Sequence, residues 1–130
     1  MSSTGFHHRL GCSTISFRHL ELANALETIG KLGFTEIDLG ALPGVCDHVP
    51  YVLDADAVND VAAVVACSGL SVRSINADIG DLNRPLDAAA RAERRAHLDM
   101  LIALAVATDA RALVLPCGAL DHEQIGRAHV

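Results

Sequence analysis

Tryptophan is absent from this 130-residue chain, tyrosine occurs once and phenylalanine three times, so aromatic residues make up only 3%. The interior has to be filled by Ala, Val and Leu, a balance suited to buried parallel strands beneath helices of small residues. Basic charge is also scarce. Ten Lys and Arg stand against sixteen Asp and Glu, a formal net charge of -6, which argues against a phosphate-binding face and so against nucleic acid as a partner. Cys12, Cys46, Cys67 and Cys117 are too widely spaced for a CxxC zinc or redox motif. Nothing at the N-terminus resembles a charged start followed by an apolar signal core, and a reducing cytoplasm is the expected compartment. No apolar run reaches the roughly 18 residues of a membrane span. HxxH, HExxH, GxSxG and P-loop patterns are missing as well, which removes the common metalloprotease, serine-hydrolase and nucleotide-binding signatures.

What is present reads as a globular α/β domain, 51% hydrophobic and 20% charged. Leu10 to Phe17 is short, β-branched and bounded by Arg9 and Arg18, the pattern of a first strand. Leu22, Ala25, Leu26, Ile29 and Leu32 follow helical spacing and Gly33 supplies a left-handed stop. Phe34 to Leu39 reads as a second strand, followed by a loop marked by Pro43, Gly44 and Pro50. Asp54 or Asp56 is expected to cap a second helix running to about Ser68, with Val58, Val61 and Val65 on one face and Gly69 ending it. Ser71 to Ala77 is the third strand and Asp78 to Pro85 a turn-rich loop. Asp87 then opens a long helix to about Ala107, with Leu98, Leu101, Ile102 and Ala105 buried and Arg91, Arg94 and Arg95 solvated. Ala112 to Leu115 is the fourth strand, ended by Pro116-Cys117-Gly118, and Asp121 is placed to cap a further helix.

Four βα units of this size suit a barrel or a doubly wound sheet. The turn after the first strand, Ser16-Phe17-Arg18-His19, has no glycine, whereas a nucleotide-binding doubly wound fold carries a Gly-rich turn there. The barrel is the better fit. A complete (β/α)8 barrel takes about 250 residues, so these units make its first half, a truncated half-barrel.

Barrel chemistry sits at the C-terminal ends of strands, which selects Ser13 to Phe17, Asp38, Asn76 to Asp78 and Pro116 to Gly118, with Asp38, Asn76, Asp78 and Cys117 as the candidate substrate-binding residues and His48 in the loop after the second strand. Asp38 could orient a sugar hydroxyl or be one of a solvated strand-end pair with Glu36. Asn76 and Asp78 could bind polyol hydroxyls, or Asp78, Asp81 and Asn83 could cap their own turn. Cys117 stands where a substrate-lining side chain could be, although such a cysteine is commonly a small buried apolar group. His48 could close over a substrate or be an exposed loop histidine. His7 and His8 read as a frayed start rather than a metal site. No catalytic nucleophile is assigned.

The run Gly33-Phe34-Thr35-Glu36-Ile37-Asp38-Leu39-Gly40, with Ser74-Ile75-Asn76-Ala77-Asp78-Ile79-Gly80-Asp81-Leu82-Asn83 and Val114-Leu115-Pro116-Cys117-Gly118, resembles the first half of the xylose isomerase-like TIM barrels over about residues 9 to 120. These are sugar phosphate isomerases and epimerases, with relatives among inosose dehydratases, hydroxypyruvate isomerases and endonuclease IV-type abasic-site nucleases. The resemblance implies a parent enzyme that moves protons between adjacent carbons of a ketose or related polyol, helped by a divalent Mn, Mg, Co or Zn ion. It places Asp38 where an acidic residue lines the substrate pocket. It assigns the metal ligands to the second half, so no metal is expected in this fragment, which by itself is expected to be inactive. The nuclease branch has histidines where this sequence has Asn76 and Pro116, which argues against that activity. Self-pairing of the open half-sheet edges is the expected route to a homo-oligomer.

Ile125 to Val130, read as codons, match one frame of a common sequencing-library adapter. The expectation is therefore that residues 1–124 are the half-barrel and 125–130 a non-native tail, kept out of fold reasoning.

Overall fold

The computed structural model describes residues 6–119. Its elements are β1 (Cys12–Ser13), a 3-10 turn (Thr14–Phe17), α1 (Leu22–Leu32), β2 (Glu36–Ala41), α2 (Ala55–Ser68), β3 (Ser71–Ala77), α3 (Ala88–Ala107) and β4 (Ala112–Val114). The strands form one parallel sheet in the order β1-β2-β3-β4. Sequential parallel strands joined by right-handed helical crossovers curl into a barrel segment with all helices outside.

Alternation along the strands decides which face carries the core. Ile37, Leu39 and Ala41 of β2 and Val72, Ile75 and Ala77 of β3 are buried in one cluster with Leu26, Ile29, Val58, Val61, Val65, Leu101 and Leu104 of the three helices. Every helix thus lies on the same, convex side, and each fully buried aliphatic side chain there contributes about 1.5–3 kcal/mol. Asp54 and Asp87 cap α2 and α3 by accepting from the N–H groups of Ala57 and Ala90 at 2.8 Å. Gly33 (φ 103°) and Gly69 (φ 73°) end α1 and α2 in the left-handed region, which suits a residue without Cβ.

Four expectations about the elements need correcting. The first strand is two residues long rather than running from Leu10 to Phe17, because the Ser13 hydroxyl accepts from the N–H of Ile15 and starts a 3-10 turn. That turn swings Thr14 into the interior, where a β-branched residue had suggested extended backbone. The second strand lies two residues later than Phe34 to Leu39, and the fourth stops at Val114. On α3 the buried residues are Leu101 and Leu104, whereas Ile102 is 47% exposed. Leu101 is buried as expected and Ala105 packs against the core, so the expected face fails at Ile102 and misses Leu104.

At the N-terminal end of the sheet, the β2–β3 register steps between Ile37 and Asp38, so that Val72 and Ser74 flank an unmatched Arg73. The bulge turns the Arg73 guanidinium onto the Glu36 carboxylate in a two-point contact, Nε to Oε2 at 3.0 Å and Nη2 to Oε1 at 2.5 Å. This pair lies at the barrel end associated with stability rather than chemistry.

Candidate functional site

The concave face of the sheet is polar. Cα register aligns Ser13, Asp38, Ser74 and Ala112 as one layer, with Gly40, Asn76 and Val114 nearer the C-terminal mouth. The Asp38 carboxylate accepts from the Ser74 hydroxyl at 2.6 Å on Oδ1 and from the Ser13 hydroxyl at 3.3 Å on Oδ2. All three are part-buried. Because β2 continues to Ala41, Asp38 lies mid-strand, one layer below the mouth, and not at the strand end where the sequence had put it. Glu36 does share its face, as alternation required, but is committed to Arg73.

Above this layer the loop after β2 folds back. Cys46 sits over Gly40, where a Cβ would come within 2.7 Å of its Sγ. A directed chain of hydrogen bonds runs through this plug. The Gly40 N–H donates to Thr14 Oγ1 at 2.9 Å, Thr14 Oγ1 meets Cys46 Sγ at 3.9 Å, and Cys46 Sγ meets His48 Nδ1 at 3.3 Å. His48 Nε2 lies 2.8 Å from the carbonyl oxygen of Leu20. A carbonyl only accepts, so Nε2 carries the proton and Nδ1 accepts from the Cys46 thiol. His48 is therefore a buried anchor of the loop, 7% exposed. The exposed-loop reading does not hold, since the ring is buried and both of its nitrogens meet protein partners.

Asn76 is part-buried on the concave face beside Val114. Asp78 has left the strand and accepts from the N–H of Gly80 at 2.9 Å, the local turn capping that was one of its two readings. Asp81 pairs with Arg84 Nε at 3.1 Å. Asn83 spans to the segment after β4, donating its backbone N–H to the Cys117 carbonyl at 3.0 Å and its amide to the Ala119 carbonyl at 3.0 Å. Cys117 is exposed, not the small buried group common at such positions. Asp38 and Asn76 thus occupy successive layers of one face, while Asp78 and His48 belong to loops with other commitments.

All four cysteines are free thiols. Burial against the core pushes the Cys12 thiol up from its ordinary pKa, which favours the protonated form. Among the described residues no group of three or more His, Cys, Asp or Glu side chains is placed to hold a metal ion. No helix among them is long and apolar enough to cross a membrane. The adapter-like residues 125–130 and Asp121 lie outside the described residues.

Sequence reasoning placed Ser13 and Thr14 among the strand-end residues without naming their partners, and it missed Ser74, which is recognisable only once register sets it beside Asp38. It also missed Arg94, placed on the solvated side of α3 but in fact part-buried, with Nη2 donating to the Asp81 carbonyl at 2.9 Å.

Four sequential parallel strands with alternating helices give the chain the architecture of the first half of a (β/α)8 barrel. A solved structure it resembles is the crystal structure of the probable 3-DHS dehydratase AsbF, involved in petrobactin synthesis, from Bacillus anthracis. The TM-score is 0.53 at 17% sequence identity, over 81% of this chain and 36% of that one. The chain therefore spans about a third of that protein's length. No family model and no curated protein matches it.

Proposed function

We propose that this chain is the substrate-binding N-terminal half of a cytoplasmic barrel enzyme acting on a small polyhydroxylated carbonyl compound, a ketose or related polyol, by proton transfer between adjacent carbons. The observation that carries this reading is the chemistry of the concave face. Barrel interiors are usually filled by layers of bulky branched side chains. Here the corresponding positions are Ser13, Asp38, Gly40, Ser74, Asn76, Ala112 and Val114, small or hydrogen-bonding except for Val114. Away from Gly40, which Cys46 covers, such a surface supplies acceptors and donors, the requirements of a ligand rich in hydroxyl groups. Asp38, steadied by two serine hydroxyls, would accept from a substrate hydroxyl, and the Asn76 amide would both donate and accept at the layer above. In a complete barrel the other strands would bring the acid, the base and the metal.

A dehydratase reading is favoured by one specific finding, the fold likeness to a probable 3-DHS dehydratase. Loss of water next to a carbonyl begins with the same proton abstraction as isomerisation, and the same polar face would serve it. The net charge of -6 and the residues Asn76 and Pro116 weigh against the nuclease branch. Ligand-observed NMR on the 130-residue chain with a ketohexose, an inosose and 3-DHS tests the proposal. Saturation transfer from the chain to at least one of them is expected, and Asn76→Ala should abolish it while leaving the circular dichroism spectrum unchanged. No transfer to any of the three, or transfer indifferent to Asn76, would overturn it.

A further inference from the structure

Two loops at the C-terminal rim are tied to each other at two points, and both ties are polar. The loop after β2 divides by chemistry: Val49 and Leu53 are buried in the core cluster with the helices, whereas Leu42 to His48 are held by hydrogen bonds. A narrow turn closes that first half, the Leu42 N–H donating to the Cys46 carbonyl at 3.0 Å and the Cys46 N–H to the Leu42 carbonyl at 2.8 Å. From this turn Cys46 Sγ meets Thr14 Oγ1, at the start of the loop after β1, and His48 Nε2 donates to the Leu20 carbonyl near its end. The two contacts bracket the whole 3-10 turn. Beneath them the concave face carries no side chain: Gly40 follows Asp38 on that face, and Cys46 Sγ and Thr14 Oγ1 fill the space a Cβ would take. The Gly40 N–H, beyond the end of β1, donates to Thr14 Oγ1 instead of to a strand.

We propose that the loops after β1 and β2 form one gate, stapled by His48 and seated by Cys46, which opens as a single body and bares the layer over Gly40 beside the Asp38 carboxylate. Opening parts the His48–Leu20 and Cys46–Thr14 contacts together, so neither loop lifts without the other losing a partner. Val49 and Leu53 stay in the core and anchor the far end of the moving segment. Segments fastened by a few hydrogen bonds open before a core held by apolar packing. A thiol is moreover a weak donor and a weak acceptor, which makes Cys46 the easiest link to part. Shut, the gate confines the accessible part of the concave face to its β3–β4 side; open, it adds a layer next to Asp38 that no side chain of the sheet fills. The gate is a property of the two loops and stands apart from the reaction assigned to the concave face.

Amide hydrogen exchange of the intact chain, followed by NMR at low urea concentrations and without any ligand, tests the gate. The amides of Leu42, Cys46, Gly40 and Leu20 are expected to share one protection factor within about threefold, at least about tenfold below that of Val65 in α2. His48→Ala should lower all four about tenfold and leave Val65 unchanged. Leu20 is the decisive signal, because a residue that only anchors its own loop would not move it. His48→Gln, whose amide can still donate to the Leu20 carbonyl, should restore most of the protection. Iodoacetamide should label Cys46 more slowly than the exposed Cys67, with a urea dependence weaker than that of global unfolding. Protection at Leu20 and Cys46 differing by more than about tenfold, exchange of all four only together with Val65, a His48→Ala effect confined to residues 42–48, or Cys46 labelling only on global unfolding would each overturn the proposal.

Discussion

Gly40→Ala probes the plug over the concave face. Gly40 is a buried β2 residue with ordinary extended backbone, so a methyl group there meets no conformational penalty, only its neighbours. Those neighbours are close: Cys46 Sγ at 2.7 Å, Cys46 Cβ at 3.1 Å and Thr14 Oγ1 at 3.4 Å from the position of the new carbon. Overfilling a packed interior costs about 1–3 kcal/mol. The alanine recovers about 0.4–1 kcal/mol by restricting the unfolded chain. The net expectation is a loss of about 0.5–2 kcal/mol, taken as the difference between those ranges. Because the thiol is the nearest obstacle, Cys46→Ala should remove most of the conflict. In that background Gly40→Ala should be neutral or slightly stabilising, giving a coupling of at least about 0.5 kcal/mol between the two positions. Urea unfolding of the wild type, both single variants and the double variant, followed by far-UV circular dichroism, measures all four corners of the cycle. A neutral or stabilising Gly40→Ala in the wild-type background, or additive effects, would refute the close contact between β2 and the loop.

Thr14→Val keeps the shape of a buried side chain but removes the oxygen to which the Gly40 N–H donates, so urea unfolding should show a loss of about 1–3 kcal/mol for the orphaned donor; a loss below about 0.5 kcal/mol would mean water or another acceptor replaces it. The Arg73 guanidinium, chiefly through its hydrogen bonds, holds the Glu36 carboxyl below its ordinary pKa. A depressed carboxylate contributes stability that is fully present above the unfolded value of about 4.3 and is lost as pH falls through the lower folded value. Arg73→Ala should therefore destabilise the chain at neutral pH by a small, salt-sensitive amount, and the difference from wild type should shrink on acidification below about pH 4. Parallel unfolding midpoints across that range would show that the pair is not coupled to folding.

Local chemistry made much of the architecture legible from sequence. The stop of α1 at Gly33, the cap at Asp54 and the stop at Gly69, the bounds of β3 and the start of α3 at Asp87 depend on backbone rules that act over four or five residues. The helix-facing valines of α2 and the sequential parallel order follow from periodicity and crossover handedness. Long-range pairing decided the remainder. Whether Thr14 continues a strand or turns inward depends on Gly40, twenty-six residues away. The fate of His48 depends on the Leu20 carbonyl, and the partners of Asp38 come from strands on both sides. The apolar face of α3 is wide enough that periodicity finds Leu101 and Ala105 but does not fix its edge; only the sheet beneath it selects Leu104 over Ile102. A residue's type tells what chemistry it can do, but which groups it meets is set by register and loop closure, quantities that exist only once distant segments have packed together.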